Sequence, residues 1–286
     1  MSLPDFLIKK TPKQKHIRRI RAIINDDNIH TVCELAKCPN IGECFKNNTL
    51  TFMILGDRCT RSCRFCGVRK GTPIPLDPKE PERIARTATK LGLQYVVITS
   101  VTRDDLPDGG AAQFAKVVRQ LTYHNSHITA HTTNIKVEVL IPDFKGNETS
   151  LATALNSNPF VLNHNLETVP RLYSQIRPEA GYKRSLSVLK MTKRLKEKIY
   201  TKSGIMVGLG EKKEEVFSVL NDLKNIACDI VTIGQYLPPS KSHQKVVRYV
   251  EPSEFEEYKA AGEKFGLKVF AGPFVRSSYH AKDLIK

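Results

Sequence analysis

Short apolar runs rich in β-branched residues recur along this chain, each followed by an amphipathic stretch, and that alternation constrains the fold more than any other feature. The runs are TFMILG (51–56), YVVITS (95–100), IKVEVLIP (135–142), FVLNHN (160–165), GIMVGLG (204–210) and IVTIGQYL (230–237). Helical patterning falls at 81–92, 111–123, 147–157, 183–199 and 213–227, the first opened by the acidic, proline-containing DPKEPER. Strands that are apolar throughout belong in a parallel sheet covered by helices on both faces. Six such units predict an α/β fold, either an open doubly wound sheet or a partial (β/α)6 barrel of the TIM type. In both, chemistry gathers beyond the C-terminal ends of the strands. Polar, glycine-containing or amide-rich segments stand at those ends: CTRSC, VTRDDLPDGG, NHNLET, GLGE and YLPPS. They are expected to form loops around one mouth.

The rest of the chain flanks this body. Residues 12–28 read as a basic, exposed helix, and 31–50, with three cysteines, a Pro and a Gly, as an ordered loop region. The expected organisation is an N-terminal extension over 1–50, a barrel over 51–240 and a C-terminal extension over 241–286. The last contains a further helix at 253–265, the apolar KVFAGPF and then VRSSYHAKD. No run is long and apolar enough for a membrane span, and the N-terminus has no signal-peptide character. A reducing cytoplasm is the expected compartment, where clustered cysteines serve metals or redox chemistry more than structural disulfides. The net charge of +16 attracts anionic partners without naming one. With no Trp and 7% aromatics, no basic stretch alternates with stacking rings as a groove for single-stranded nucleic acid would.

Six of the seven cysteines fall within residues 33–66. Cys59, Cys63 and Cys66 are spaced CxxxCxxC directly after the first strand. Three soft thiolates in one short loop can hold three corners of an iron–sulfur cubane and leave one iron open to another molecule. Zinc prefers four ligands, commonly in CxxC pairs, and no second CxxC occurs. Cys33, Cys38 and Cys44 have a different spacing, CxxxxCxxxxxC. Their polar neighbours, Glu34, Pro39, Asn40, Gly42 and Glu43, do not resemble core sequence. Six thiolates exceed what one cubane uses, so two clusters are expected. The seventh cysteine, Cys228, sits before an apolar strand and reads as an inert core thiol.

CxxxCxxC after the first strand of a βα series resembles the radical S-adenosylmethionine superfamily. CELAKCPNIGECF, TFMILGDRCTRSCRFC, VTRDDLPDGGA, HNLET, SGIMVGLGE, GQYLPPS and VRSSYHA together resemble the lipoyl synthase family, from about residue 31 to residue 281. Phe45 stands where that family is expected to carry Trp, and GVRKG (67–71) is a less familiar continuation; neither removes a ligand.

The resemblance implies a set of roles. Cys59, Cys63 and Cys66 would hold the catalytic [4Fe–4S] cluster that cleaves S-adenosylmethionine. Cys33, Cys38 and Cys44 would hold an auxiliary [4Fe–4S] cluster consumed as the sulfur source. A serine of RSSY would bind its fourth iron; Ser278 is the match, with Ser277 the adjacent alternative. Ser100 and Thr102 would lie near the methionyl amine and Asn163 and Glu167 near the ribose hydroxyls, while Arg177 could reach a carboxylate. Glu167 also reads as a helix-initiating acid. The implied reaction replaces hydrogens on carbons 6 and 8 of a protein-bound octanoyl-lysine with two sulfurs. The implied partners are octanoylated lipoyl carrier domains, acidic modules of 2-oxoacid dehydrogenase complexes or of the glycine-cleavage H protein. A one-electron donor such as flavodoxin or ferredoxin is implied as well, and neither membrane nor nucleic acid is expected. Arg18, Arg19, Arg21 and the run 193–198 could meet such an acidic carrier. The competing readings are a radical enzyme that thiolates RNA and a zinc-stabilised nucleic-acid-binding protein.

Overall fold

A computed structural model describes residues 3–9, 14–128 and 135–284. The chain divides into two compact units, each assembled from separate stretches of sequence. One comprises Thr11–Arg61 and Val68–Leu162; the other comprises Met1–Lys10, Ser62–Gly67 and Asn163–Lys286.

The first unit opens on α1 (Gln14–Asp26), which buries Ile17, Ile20 and Ile24 at helical spacing and leaves Arg18, Arg19 and Arg21 exposed. Just past its end the buried carboxylate of Asp27 accepts hydrogen bonds from Arg86 (2.8 Å), Thr87 (2.8 Å) and Lys90 (2.9 Å). Burial alone would raise the Asp27 pKa; Lys90, Thr87 and Arg86 hold it below the ordinary carboxylate range. β1 (His30–Thr31) leads into two short helices, α2 (Val32–Leu35) and α3 (Ile41–Lys46), and then β2 (Thr51–Ile54). β1 pairs antiparallel with β2. A small parallel pair follows, β3 (Arg58–Cys59) with β4 (Arg69–Lys70). Then come α4 (Glu80–Lys90), β5 (Tyr95–Ser100), α5 (Ala111–Ile128), β6 (Lys136–Leu140) and α6 (Glu148–Leu155). β2, β5 and β6 are consecutive parallel neighbours. All of β2 is buried and Phe52, Ile54, Ile84, Ile98 and Phe114 are fully enclosed, as a parallel sheet beneath helices requires. Asn147 caps α6, its side chain accepting from the Ser150 N–H at 2.9 Å.

β7 (Val161–Asn163) straddles the division between units. The second unit continues through α7 (Tyr173–Ile176), α8 (Tyr182–Leu195), β8 (Tyr200–Val207), α9 (Lys213–Asn225), β9 (Ile230–Gln235), α10 (Pro252–Lys264) and β10 (Lys268–Gly272). β8, β9 and β10 are parallel neighbours. The line of β7 runs on beside β8: His164 N–H donates to Lys202 O (3.0 Å) and Glu167 N–H to Gly204 O (2.9 Å).

Each of the six sequence-predicted strands is present, and three features differ from expectation. The stretch 31–50 is not loop: α2 and α3 carry Cys33 and Cys44. β8 begins at Tyr200 rather than Gly204, because Thr201, Lys202 and Ser203 are polar yet wholly buried. Their polarity hid them; Thr201 is satisfied by Asp229, which accepts from its N–H (2.6 Å) and its hydroxyl (2.9 Å). The apolar KVFAGPF supplies β10, a further parallel strand on β9. Among the described residues no helix is long and apolar enough to cross a membrane.

Candidate functional site

The CxxxCxxC loop is gripped differently at its two ends. In the first unit Cys59 closes β3, and its sulfur accepts backbone N–H groups from Thr102 (3.3 Å) and Arg61 (3.5 Å). Thr60 ties the same loop to the segment after β5. Its N–H and hydroxyl donate to Thr102 O at 3.1 and 3.0 Å, and its oxygen accepts from Asp104 N–H at 3.1 Å. Arg61 is buried and forks onto Asp104 (2.7 and 3.0 Å), with a further bond to the fully buried Asp143 (2.6 Å). Burial acts against its charge, but the two carboxylates win and raise its pKa above the usual guanidinium value. Arg103 is bound to Asp105 (2.8 Å) and donates to Leu55 O (3.3 Å). Of the charged residues of VTRDD, Asp104 therefore anchors the loop that carries Cys59, while Arg103 and Asp105 bind each other and the chain just after β2. Thr102 contributes its backbone there, and at the end of β5 the buried Ser100 Oγ has no hydrogen-bond partner among the described residues.

In the second unit the rest of the loop is held by backbone bonds. Arg64 N–H donates to Ile176 O (2.9 Å), Cys66 N–H to Cys63 O (3.3 Å) and Gln244 N–H to Arg64 O (3.0 Å). The Glu179 carboxylate accepts from Ser62 N–H (3.0 Å). His243 Nε2 lies 3.1 Å from Cys66 O, and Ser240 Oγ lies 2.8 Å from its Nδ1. A carbonyl only accepts, so Nε2 donates to Cys66 O. Tyr236 completes the clasp by donating to Gln244 O at 2.8 Å; burial, then the nearby Cys66, pushes its phenol up to about 12. His243 was missed in the sequence: a histidine that meets a backbone carbonyl leaves no spacing signal.

Polar groups cluster where β7 ends. Asn163 Nδ2 donates to Ser277 Oγ at 2.7 Å, and Ser277 Oγ donates to Asn165 Oδ1 at 2.9 Å. Asn165 Nδ2 donates to Glu167 Oε1 at 3.1 Å. Desolvation lifts the Glu167 carboxyl above its ordinary range, against the opposing pull of Arg177 and Asn165. Its φ of +68° and its bridge to Ile205 place it beside β8, not at the start of a helix. Arg177 directs Nη1 to the carbonyls of Asn165 (2.9 Å) and Leu166 (3.1 Å). In GLGE the amides of Gly208 and Leu209 donate to Glu211 at 2.6 and 2.9 Å. A Cβ on Gly208, whose φ is +96°, would collide with Gln235 Nε2 and approach Arg248 O.

The first cysteine group lies in the first unit. Thr31 Oγ1 accepts from Glu34 N–H at the start of α2 (3.4 Å). Cys38 N–H donates to Cys33 O (3.0 Å), Cys44 N–H to Asn40 O (2.9 Å) and Thr49 N–H to Cys44 O (2.8 Å). Burial, with the charges of Cys38 and Cys44 added, pushes the Cys33 thiol up to about 12. Cys38 and Cys44 are thus each within electrostatic reach of Cys33, and as bare thiolates they would repel it. Bound iron reverses that sign, since a coordinating thiol is deprotonated by the metal's charge. None of the seven cysteines is in a disulfide. Among the described residues no group of three or more His, Cys, Asp and Glu closes to the spacing of a single metal ion. The donor set is soft, sulfur-only and arranged in threes, which fits cubanes.

Other sequence candidates divide. Lys193 is committed to Asp229 (2.6 Å) and Ile199 O (2.9 Å), and Arg21 pairs with Glu34 (2.7 Å), while Arg18 is exposed. Cys228 is buried and its thiol is pushed up to about 12 by that burial, as an inert core thiol should be.

The Radical SAM superfamily model matches residues 53–223, more than half of the chain. A lipoyl synthase of Caldanaerobacter subterraneus subsp. tengcongensis is 54% identical over 97% of this chain and 95% of its own length. Those of Caldicellulosiruptor saccharolyticus (99% of this chain and 97% of that protein) and Aquifex aeolicus (92% and 93%) are both 51% identical. Among solved structures, the [FeFe]-hydrogenase maturase HydG aligns with a TM-score of 0.62 at 13% identity, covering 98% of this chain and 60% of that one. Methylornithine synthase PylB aligns at 0.55 and 14% identity, covering 92% and 72%. At such identities these likenesses speak for the fold alone, the α/β partial barrel expected from the strand pattern.

Proposed function

Because the chain belongs to the lipoyl synthase family of the radical S-adenosylmethionine superfamily, we propose that its two cysteine groups hold two [4Fe–4S] clusters with divided labour. The enzyme is a radical sulfur-inserting transferase that uses one such cluster and S-adenosylmethionine. Cys59, Cys63 and Cys66 are its three thiolate ligands, leaving one iron for the amino and carboxylate groups of S-adenosylmethionine. When bound, these groups supply a carbon-centred radical able to take hydrogen from C–H bonds, and the auxiliary cluster supplies sulfide.

The chain's own contribution is orientation. The amides of Arg61 and Thr102 hold the Cys59 sulfur, and the Arg61–Asp104–Asp143 network fixes the loop that presents it. The unpartnered hydroxyl of Ser100 is suited to the methionyl amine. Asn163 and Glu167 face the ribose hydroxyls, with Arg177 bracing the backbone between them. Cys33, Cys38 and Cys44 bind the auxiliary cluster and Ser278 its fourth iron. A hard oxygen suits a sulfide cluster less well than a thiolate, which makes that corner the easier one to open.

The substrate is an octanoyl-lysine on a lipoyl carrier domain, sulfurated at carbons 6 and 8. The surplus of positive charge steers that acidic partner. A flavodoxin or ferredoxin delivers the electron, and the site of action is the reducing cytoplasm. The observation that carries the reading is the folding of Cys33, Cys38 and Cys44, none of them in a disulfide, into one short hydrogen-bonded segment apart from the CxxxCxxC loop. Anaerobic reconstitution followed by a single turnover on an octanoyl-lysine peptide tests it. The expected result is about eight bound irons, the sum of two four-iron clusters, with two sulfurs in the product and the auxiliary cluster dismantled. One cluster in a fully loaded sample, or an intact second cluster after lipoyl formation, refutes it.

A further inference from the structure

We propose that Ser277 is a positioning residue that couples the S-adenosylmethionine end of β7 to the serine beside it. The proposal rests on the reading of Asn163 as a ribose contact and of Ser278 as the iron ligand. After β10 the chain doubles back along β9. A Cβ on Gly234 would collide with Val275 O, so the returning backbone lies directly on that strand. Lys9 lies over the rings of Phe274 (4.5 Å) and Tyr279 (5.4 Å) and so holds the same segment at two points. Between these two fixings sits Ser277.

Its hydroxyl accepts from Asn163 at 2.7 Å and donates to Asn165 at 2.9 Å, across 114 and 112 residues of sequence. Both roles of a hydroxyl are then used. Binding iron through this oxygen would take its proton and so break the bond donated to Asn165, leaving that buried amide oxygen without its donor; this favours Ser278 as the ligand of the pair. The Asn163 bond has a second effect. Donation from Nδ2 to Ser277 sets which way the amide faces and aims its oxygen, the atom that accepts from a ribose hydroxyl. Asn165 carries the link on to Glu167 at 3.1 Å. One serine thus fixes both the orientation of the ribose contacts and the place of the iron ligand next to it. Linkage is reciprocal: S-adenosylmethionine that favours the fastened arrangement must itself bind more tightly when the segment is fastened.

The test is hydrogen exchange of residues 273–284 in anaerobically reconstituted enzyme, with and without S-adenosylmethionine, combined with Mössbauer spectra and binding titration. In the wild type, S-adenosylmethionine should slow exchange in this segment. Ser277→Ala should raise exchange there and weaken S-adenosylmethionine binding about fivefold, the scale of one ordinary hydrogen bond. It should also alter the signature of the unique auxiliary iron without changing the total iron. Ser277→Thr keeps the hydroxyl and should restore all three. Wild-type exchange and affinity in Ser277→Ala overturn the inference. So does loss of the unique iron signature while the segment stays protected, which would make Ser277 the ligand. A Ser278→Ala enzyme whose auxiliary cluster is spectroscopically unchanged refutes the underlying ligand assignment instead, leaving the exchange result to report on the fastening alone.

Discussion

The two cysteine groups are both sets of three thiols, but they are anchored over different ranges of sequence. Cys33, Cys38 and Cys44 are carried on and between two short helices and are ordered mainly from within residues 21–51: an N-cap at Thr31, turns among neighbours, the Arg21–Glu34 pair and the Thr51 N–H on the Cys33 sulfur. Cys59, Cys63 and Cys66 are ordered by residues far away in sequence, Thr102, Asp104, Asp143, Ile176 and His243. A site built locally tolerates loss and refilling, because its ligands keep their chain neighbours when the metal leaves. A site held by distant contacts is set once, by the fold. That contrast suits the proposed division between a cluster that is spent and one that recurs unchanged through each turnover.

The contrast can be broken most severely at the ligands. Cys63→Ala should lower S-adenosylmethionine cleavage by at least about 10³-fold, a modest share of the roughly 10⁶-fold or greater acceleration enzymes supply. Cys44→Ala should leave 5′-deoxyadenosine formation in place while abolishing sulfurated product. Chromatographic counting of both products checks the pair, and equal loss of cleavage in the two variants would erase the division of labour.

Next comes the distant anchoring. Arg61→Met takes the guanidinium away from the buried Asp143 carboxylate and leaves it the neutral Lys145 N–H as a donor, so unfolding free energy should fall by about 3–5 kcal/mol, the range for breaking a buried ion pair. Urea denaturation of the metal-free protein measures it. Asp27→Asn should cost about 2 kcal/mol, the scale of hydrogen bonds to a charged group. The depressed folded pKa of Asp27 sets the sign: its stabilisation is present above the unfolded carboxylate pKa and is lost as pH falls through the folded value. Wild type and variant should therefore converge in strong acid, which urea curves at pH 7 and pH 3 can show. The smallest change is local. Thr31→Ala removes the cap of α2 and should cost about 1 kcal/mol, with faster hydrogen exchange confined to residues near Cys33 and Cys38. Spread of that effect to the CxxxCxxC loop would contradict the independence of the two groups.

Much of this was readable from sequence for a physical reason. Strands buried on both faces must be apolar, so β2, β5, β6, β7 and β9 announced themselves, and the loops at their ends carried the polar motifs. Thr201 to Ser203 did not, since their burial depends on Asp229 and on neighbouring strands rather than on their own chemistry. The helices holding Cys33 and Cys44 were too short for periodicity to register. The cysteines were conspicuous by type and spacing. The roles of Thr102, Glu211, His243 and Ser277 rest on backbone bonds or on partners far along the chain, and a linear pattern does not encode these.

The backbone amides aimed at the Cys59 sulfur have one more consequence. Hydrogen bonds to ligating sulfurs help set the reduction potential of an iron–sulfur centre. Here the donors are the peptide groups of Arg61 and Thr102. That share of the proposed cluster's voltage is therefore written in main chain: a new side chain at position 102 leaves its donor standing unless the newcomer is proline, which has no proton to give.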